Sequence, residues 1–559
     1  MSDLNQGTGC EKLQERENGE VSPQTVQQAG APANMGCRDK AAKTETEETR
    51  RMKENFGFFG PASFLLAVFY AFCMFQNGSG VTFPFFVAAS LLLLYLSLTK
   101  LGLTLKKGSA FYMAAMLLLG ISTFCTDDGR IIFFNKLGIF LLMMSLLLKQ
   151  YLDTSKWGMG KFLGSICQLT FSAIGEVAKP FRDASEYRKN KTGKDGKRIW
   201  AVGIGLLAGV PLVLVVLLLL ASADALFREI TEKFLENISF GNILNVLFRI
   251  AFLFLAAYCL TSYLCRKGIQ EEVKNRRTGE PVTAITVTGM LTVLYLVFSV
   301  IQIAGLFLGK MQLPEGYTYA AYAREGFFQL LAVSLLNLII VLAALHFFKE
   351  SKVLKIILTI MSLCTFIMIA SSAMRMMIYI RYYYLTFLRV LVLWALALLA
   401  VLFAGVMISV YRESFPLFRY SVAVVTVLYL ALSFAHPDYI IAKVNIENTR
   451  ETEQVDPEAW EIFEPYQDYR YLSGLSADAA PVLAPYLEKL GYDMEAFYEE
   501  YPVRYGKEIT AEWEGRASLG GFGYYWLESM QSVTENFGAR TFNVSRYRLL
   551  KLIEEGTEP

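Results

Sequence analysis

The recurrence of apolar runs close to 20 residues long limits what this chain can fold into more than any other feature. Eleven such runs stand out: Phe56–Phe75, Val81–Leu98, Ala110–Phe124, Ile131–Leu148, Ile199–Ala223, Ile243–Leu264, Ala284–Leu308, Phe327–Phe348, Ile356–Met374, Val390–Val410 and Tyr420–Phe434. A hydrocarbon core of about 30 Å needs roughly 20 helical residues to cross it. Lipid offers no hydrogen bonds to exposed backbone, so such segments must pair their own peptide groups as helices. The expected fold class is therefore an all-α polytopic membrane protein of about 11 transmembrane helices, with a small, mainly helical C-terminal extracytoplasmic domain. Composition agrees. Only 19% of the residues are charged and 54% are hydrophobic, against about 25% charged in a soluble domain. Ala110–Phe124 is the shortest run and the least able to span.

Four regions follow from the pattern. Residues 1–55 are rich in Gln, Glu, Thr, Gly and Lys with almost no aromatic residues, which predicts a disordered cytoplasmic tail. The tail lacks the early apolar run of a signal peptide. Residues 56–198 hold the first membrane helices and a basic cytoplasmic loop. Within it, Lys161–Lys179 is apolar on one face and predicts an interfacial helix rather than a span. Residues 199–435 form a membrane core. Residues 436–559 form an acidic domain with 11 basic and 23 acidic residues. That is a balance of −12, against +14 for the rest of a chain whose net charge is +2.

Lysine and arginine set the orientation. They crowd alternate loops: Lys100, Lys106 and Lys107; Arg188, Lys189, Lys191, Lys194, Lys197 and Arg198; Arg266, Lys267, Lys274, Arg276 and Arg277; Lys349, Lys352 and Lys355; Arg412 and Arg419. The intervening loops are acidic or mixed. With an odd number of spans the N-terminus is expected in the cytoplasm and the C-terminal domain outside.

Several chemistries find no support. The chain has only two histidines, His346 and His436, and its eight cysteines include no Cys-x-x-Cys and no Cys/His cluster at zinc spacing. No motif asks for a cofactor or metal, and nothing points to nucleic acid. Asn190–Lys197 superficially resembles a phosphate loop but lacks the glycine spacing and precedes an apolar run, so it is read as a basic turn. No paired acid and base marks a hydrolase, so an enzyme is disfavoured.

The segment Ile369–Arg389 joins two long apolar runs, and no acidic residue lies between Glu350 and Glu413. Its arginines must find water, lipid phosphate or carboxylates from elsewhere. Arg375 and Tyr379 are four residues apart and share a helix face. In the expected topology Arg375, Arg381 and Arg389 lie at the outer end of a helical hairpin. Lys136 and Arg249 lie one to two turns below the same surface. Ionisable residues inside spans are costly and mark candidate sites. The candidate is an outward-facing pocket for an anion or lipid phosphate, formed by Arg375, Arg381, Arg389, Arg249, Lys136 and Tyr379. Asp127, Asp128, Asp224, Glu229 and Glu325 are possible counter-charges, and Arg324 joins Glu325 at the rim. The alternatives are snorkelling to headgroups and pairing with the acidic C-terminal domain.

Beyond the last span, His436-Pro-Asp438 stops one helix and opens an amphipathic segment. Ser476–Gly491 reads as a capped helix, and Asp493–Tyr501 and Arg546–Glu555 as further helices. Asn543-Val-Ser545 matches a glycosylation sequon. Five pieces carry a family resemblance: Ser222-Ala-Asp-Ala-Leu-Phe227; Tyr319…Arg324-Glu-Gly-Phe-Phe-Gln-Leu-Leu331; Arg375…Tyr379…Leu385-Thr…Arg389; His436-Pro-Asp…Asn445; and Tyr471-Leu-Ser…Ala-Asp478-Ala-Ala-Pro. In this order they resemble the bacterial membrane proteins of domain of unknown function 4173 and the related 4153, over about residues 199 to 550. The resembled pattern usually has Asn where His436 stands, and Tyr-Gly where this chain has Tyr383-Tyr384. The resemblance implies a bacterial multi-pass plasma-membrane protein without an assigned activity. The expected partners are membrane lipid, an anionic lipid or envelope ligand, and a protein partner. The expected function is a membrane sensor or accessory protein that binds an envelope ligand or partner. The alternative is a transporter or lipid-handling protein using the outward cationic pocket.

Overall fold

The computed structural model describes residues 46–154, 157–191, 216, 240–269, 277–304, 319–412, 414–452, 471–489, 521–534 and 537–555. The expected span Ile199–Ala223, the tail before residue 46, the basic turn Asn190–Lys197 and the expected helix Asp493–Tyr501 lie wholly or almost wholly outside them. The described residues contain seventeen α-helices and no named strand. The all-α polytopic class therefore holds.

The helices are α1 (Glu47–Glu54), α2 (Phe56–Met74), α3 (Thr82–Leu101), α4 (Ser109–Cys125), α5 (Gly129–Tyr151), α6 (Met159–Ser172), α7 (Lys179–Lys191), α8 (Phe240–Cys265) and α9 (Pro281–Gln302). They continue with α10 (Tyr319–Phe347), α11 (Lys352–Tyr383), α12 (Phe387–Tyr411), α13 (Leu417–Phe434), α14 (Pro437–Thr452), α15 (Ala480–Lys489), α16 (Gly521–Thr534) and α17 (Val544–Glu555). Among the described residues nine helices are long and apolar enough to cross a membrane, and α4 is a shorter apolar helix of 17 residues. These ten occupy ten of the eleven expected runs. Their hydrophobic surface faces outward as well as inward: Phe64, Phe72, Phe133, Phe248, Met290 and Ile339 are all well exposed. That is the pattern for a lipid solvent, since a helix apolar all round belongs in a membrane.

The bundle has two halves. In the first, α2–α6 and α8 share one buried cluster that includes Phe83, Leu98, Met116, Leu148, Phe162 and Tyr258. In the second, α9–α12 pack around Leu358, Met361, Met368, Phe403 and Val406. Helix α13 touches α4, α5 and α12, and so bridges the halves. The expected interfacial segment Lys161–Lys179 is broken into α6, a 3-10 turn (Ala173–Glu176) and the start of α7. Phe162, Ile166 and Leu169 are buried, while Leu163, Phe171 and Ile174 stay exposed. A short amphipathic helix with apolar residues on its outer rim suits the headgroup boundary.

The bundle's two ends differ in character. One carries Arg266, Arg277, Lys349 and Lys355, which pair with Glu176, Glu350 and Glu280. The other carries the α2–α3 and α4–α5 loops and the α11–α12 turn. Over it, α14–α17 form a helical cap whose core includes Ile441, Leu483, Leu487, Trp526 and Leu549. That core also takes in Ile131 from α5 and Leu385 and Phe387 from the α11–α12 turn. The cap is thus seated on both halves. From residue 45 onward the chain is one compact unit.

Candidate functional site

The cap and the bundle meet through four aspartates. Asp128 is the N-cap of α5, its carboxylate accepting the Arg130 amide at 2.9 Å, a role that short polar side chains fill well. Arg130 returns two bonds to the same carboxylate, at 2.8 and 3.0 Å. It also reaches Asp438, in the first turn of α14, and lies 4.0 Å over the Phe387 ring. Asp438 in turn accepts from the Ser476 amide at 3.0 Å and hydroxyl at 2.8 Å. Asp478 accepts from the Thr126 hydroxyl at 2.5 Å, the Asp127 amide at 2.7 Å and the His436 ring at 3.2 Å. Arg546 on α17 closes the group on Asp127 at 2.7 Å. Asp128, Asp438 and Asp478 are buried, and so is most of the Asp127 side chain.

Burial of four carboxylates is costly unless each is paired and hydrogen-bonded. Here each has such partners. Burial pushes Asp127 up from the ordinary carboxylate range, although Arg546 opposes it. Burial, reinforced by the charge of Asp128, pushes Asp438 up, against the pull of Arg130. Burial acts the same way on Asp478, but the bonds from His436, Ser545, Thr126 and the Asp127 amide outweigh it, and its carboxyl sits below the ordinary range.

The network continues into the bundle and along the C-terminal strap. Asn135 donates to Thr123 at 3.2 Å and accepts from Tyr429 at 2.8 Å and Ser433 at 2.7 Å, while Ser122 and Ser433 share a 2.6 Å bond. Such side-chain bonds hold helices together where lipid supplies no hydrophobic drive. Residues 540–546 thread between the two loops. The Phe542 carbonyl accepts from Val81 at 2.8 Å, and fully buried Asn543 donates to the Thr126 carbonyl at 2.8 Å and the Ser79 carbonyl at 3.1 Å. The Asn543 sequon is therefore structural. Its amide is spent inside the protein, and a glycan has no room there.

The sequence-predicted site residues distribute over three places. Arg375 and Tyr379 come together, as their spacing predicts. Helix α11 does not stop near Met374, however, but runs on to Tyr383. Arg375 is therefore buried within the bundle, donating to Gln302 at 3.3 Å and lying against Gly326 of α10. Ser371 donates to the same Gln302 oxygen at 2.6 Å. Tyr379 sits beside Phe327 and beneath the Arg389 guanidinium, 4.3 Å away. Arg389 donates to the Tyr383 and Tyr384 carbonyls, so it occupies the acceptors that the end of α11 leaves open. Arg381 is exposed. Lys136 and Arg249 are elsewhere, against α3 and α2: Lys136 is 5.7 Å from the Phe83 ring centroid, and Arg249 donates to the Met74 carbonyl at 3.0 Å. Asp127 and Asp128 belong to the aspartate network. Asp224 and Glu229 lie outside the described residues, as do the side chains of Arg324 and Glu325.

Sequence reasoning missed Arg130, Asp438, Asp478 and Arg546. Asp438 and Asp478 stand in two of the resembled motifs, and Asp127-Asp128 opens a span, but only the fold brings the three pieces together. The two departures from the resembled pattern also acquire a reason. Tyr384 and His436 both have positive φ, 59° and 49°, where Gly and Asn are the residues of low conformational cost.

A family model matches residues 113–486, well over half of the 559-residue chain. The chain belongs to the family of unknown function DUF4153. The match is to the second of the two families that the sequence motifs resemble. The DUF4153 region begins inside α4 and ends inside α15, so it includes Asp127, Asp128, Arg130, Asp438 and Asp478, while Arg546 lies beyond it. No curated protein matches the chain, and no solved structure matches it.

Proposed function

We propose that this integral membrane protein is a sensor or accessory protein, whose C-terminal cap stands outside the membrane and binds an envelope ligand or partner. The observation that carries this reading is the double seat of the cap. On one side Asp438 and Asp478 grip the α4–α5 loop. On the other, Asn445 donates to the Leu385 carbonyl at 2.9 Å and accepts from the Leu385 amide at 2.7 Å, in the α11–α12 turn. A load placed on the cap is therefore transmitted to the turns of both bundle halves. Signalling needs a two-state element that a ligand biases, and on this reading the cap, seated on two separate turns, is that element. Alternating Lys- and Arg-rich loops support an extracytoplasmic cap.

The test is photo-crosslinking in intact cells from positions 525 and 547, which hold exposed tyrosines on α16 and α17. The sensor reading expects one discrete adduct with an envelope component, lost when Asp478→Ala unseats the cap. Absence of any adduct, together with solute flux in protein-loaded vesicles, would instead favour a transporter. That second reading, lipid handling through an outward cationic pocket, draws on the union of Arg375, Tyr379 and Arg389 at the cap end. It expects a phosphorylated lipid to co-purify with the wild type and to be lost in Arg375→Ala.

A further inference from the structure

At the end opposite the cap, a cleft of about 1560 Å³ opens between the two halves. One wall comes from α4, the end of α5 and α6. The other comes from the end of α10 and the start of α13. Five cations line it: Lys107, Lys149, Lys161, Arg277 and Arg419. No carboxylate lines it among the described residues. Arg277 is partly neutralised by Glu350, 2.9 Å away at the rim. Among the described residues, no carboxylate pairs with Lys107, Lys149, Lys161 or Arg419. Lys149 lies over the Tyr112 ring at 5.2 Å, and Lys161 lies 5.4 Å from the Trp157 ring centroid. The charges that bear on Lys149 are those of Arg419 and Lys106, both positive.

Lys107 and Arg419 are exposed, and Lys149, Lys161 and Arg277 are half-buried; like charges gathered in one cleft repel unless something offsets them. Elsewhere at this end the described cations Arg266, Lys349 and Lys355 lie against carboxylates, so a cleft lined by one sign of charge stands apart. Sites that break a rule kept elsewhere in the same protein are where function is to be sought. The walls below the cations are apolar and aromatic: Phe111, Trp157, Phe162, Leu342, Phe418 and Val422. Phe162 and Phe418 stack across the gap at 4.0 Å. A cationic mouth above apolar walls matches an amphiphile with an anionic head.

We propose that this cleft binds a phosphomonoester group, its cations holding the phosphate and its apolar walls holding the chain that carries it. Arg419 supplies a planar fork suited to phosphate, and the lysines act as point charges. The inference is independent of what the cap binds. It places a second ligand site at the membrane end where lysine and arginine concentrate.

The experiment uses the full chain in phosphatidylcholine nanodiscs containing a small fraction of photoactivatable phosphatidic acid, with adducts mapped by mass spectrometry. Saturable labelling of α4, α6 or α13 residues that line the cleft is expected. It should fall at least tenfold in the Lys149→Gln/Arg419→Gln double variant and survive in Lys149→Arg/Arg419→Lys. Lys352→Gln, at the same end but off the cleft, should label like the wild type. Competition by millimolar glycerol 3-phosphate distinguishes the sources. Displacement of the lipid probe identifies a site for phosphate itself, and failure to displace identifies a lipid site. A thermal unfolding curve for the double variant without the probe separates loss of binding from loss of fold. Non-saturable labelling, equal labelling of the folded double variant, or equal labelling by a photoactivatable phosphatidylcholine would overturn the proposal.

Discussion

The two ends of this membrane bundle carry charge in different ways: enclosed and matched at the cap, exposed or half-buried and of one sign in the basic cleft. At the cap end, four aspartates are enclosed, and each meets an arginine, a histidine, a hydroxyl or a backbone amide within hydrogen-bond reach. At the basic end, the cleft gathers Lys107, Lys149, Lys161, Arg277 and Arg419 with no carboxylate among its described lining. Low-dielectric surroundings make the satisfied aspartate network rigid, whereas the cleft's cations keep contact with the outside and repel one another. The first arrangement holds the protein together. The second is the arrangement for which we propose an anionic ligand. Which charges are matched, rather than how many there are, separates a latch from a binding site.

The largest effect expected at the latch is that of Asp478→Ala. It leaves the Thr126 hydroxyl, the Asp127 amide and His436 without their shared acceptor. Breaking a buried charged network by removing one member costs about 3–5 kcal/mol. Hydrogen exchange should lose protection together in the α4–α5 loop and in α17, and retain it in α9–α11. Protection changes confined to residue 478 and its neighbours would mean the latch is not cooperative. Asn445→Ala removes two bonds to the Leu385 backbone and leaves buried groups unpaired, a loss of about 1–3 kcal/mol. Here the exposure should appear at the α11–α12 turn rather than at α4–α5. Both variants opening the same region would erase the distinction between the two seats of the cap.

The Arg375 crevice offers an intermediate test. A Cβ on Gly326 would fall 2.0 Å from the Arg375 guanidinium. Gly326→Ala should cost about 1–3 kcal/mol through overpacking, despite the better helix propensity of alanine. Adding Arg375→Met should recover part of that loss; thermal unfolding of the single and double variants reads it. If Gly326→Ala is neutral, Arg375 moves freely and is not fixed by α10.

The titration of the latch has a defined sign. Asp478 is held below the ordinary range, so its contribution is complete above about pH 4 and fades as pH falls through its lower folded value. Asp127 and Asp438 are pushed up, so they cost stability as pH rises through their raised values. Acidification from neutral should therefore stabilise the cap slightly before it destabilises it. Asp438→Asn should flatten the first phase and leave the second. A wild-type midpoint that only falls from pH 7 downward contradicts this assignment. The smallest change is expected at the α11–α12 turn, where Tyr384→Gly relieves a positive φ of 59°. Relief of that backbone conformation is worth about 1 kcal/mol.

The sequence makes the membrane class plain because twenty-residue apolar runs depend on nothing beyond their own neighbours. Ten of the eleven expected spans appear as helices, and the short one appears as the 17-residue α4. The spacing of Arg375 and Tyr379 was equally local, and the two do share a helix face. What the sequence could not show was reach. The apolar run ends at Met374 but no Gly or Pro stops the helix there, and the actual stop, after Tyr383, comes from Tyr384 at positive φ and from Arg389, which donates to the Tyr383 and Tyr384 carbonyls. The latch was less visible still. Thr126 and Asp478 are 352 residues apart, and Asn543 looked like a glycosylation site until its amide was seen inside the protein. Acidic residues spread along a tail carry no mark of which two will be buried. The basic cleft hid for a related reason. Its cations come from separate loops, and each reads singly as positive-inside bias.

The most direct test of the contrast between the ends is thermal unfolding of Asp478→Ala and of Lys149→Gln/Arg419→Gln, side by side in zwitterionic nanodiscs free of anionic lipid. Opposite signs are predicted: a lower midpoint for the first, and an unchanged or higher midpoint for the second, whose like charges no longer repel. Loss of stability in both would contradict the account, because the cleft cations would then be structural members like the aspartates.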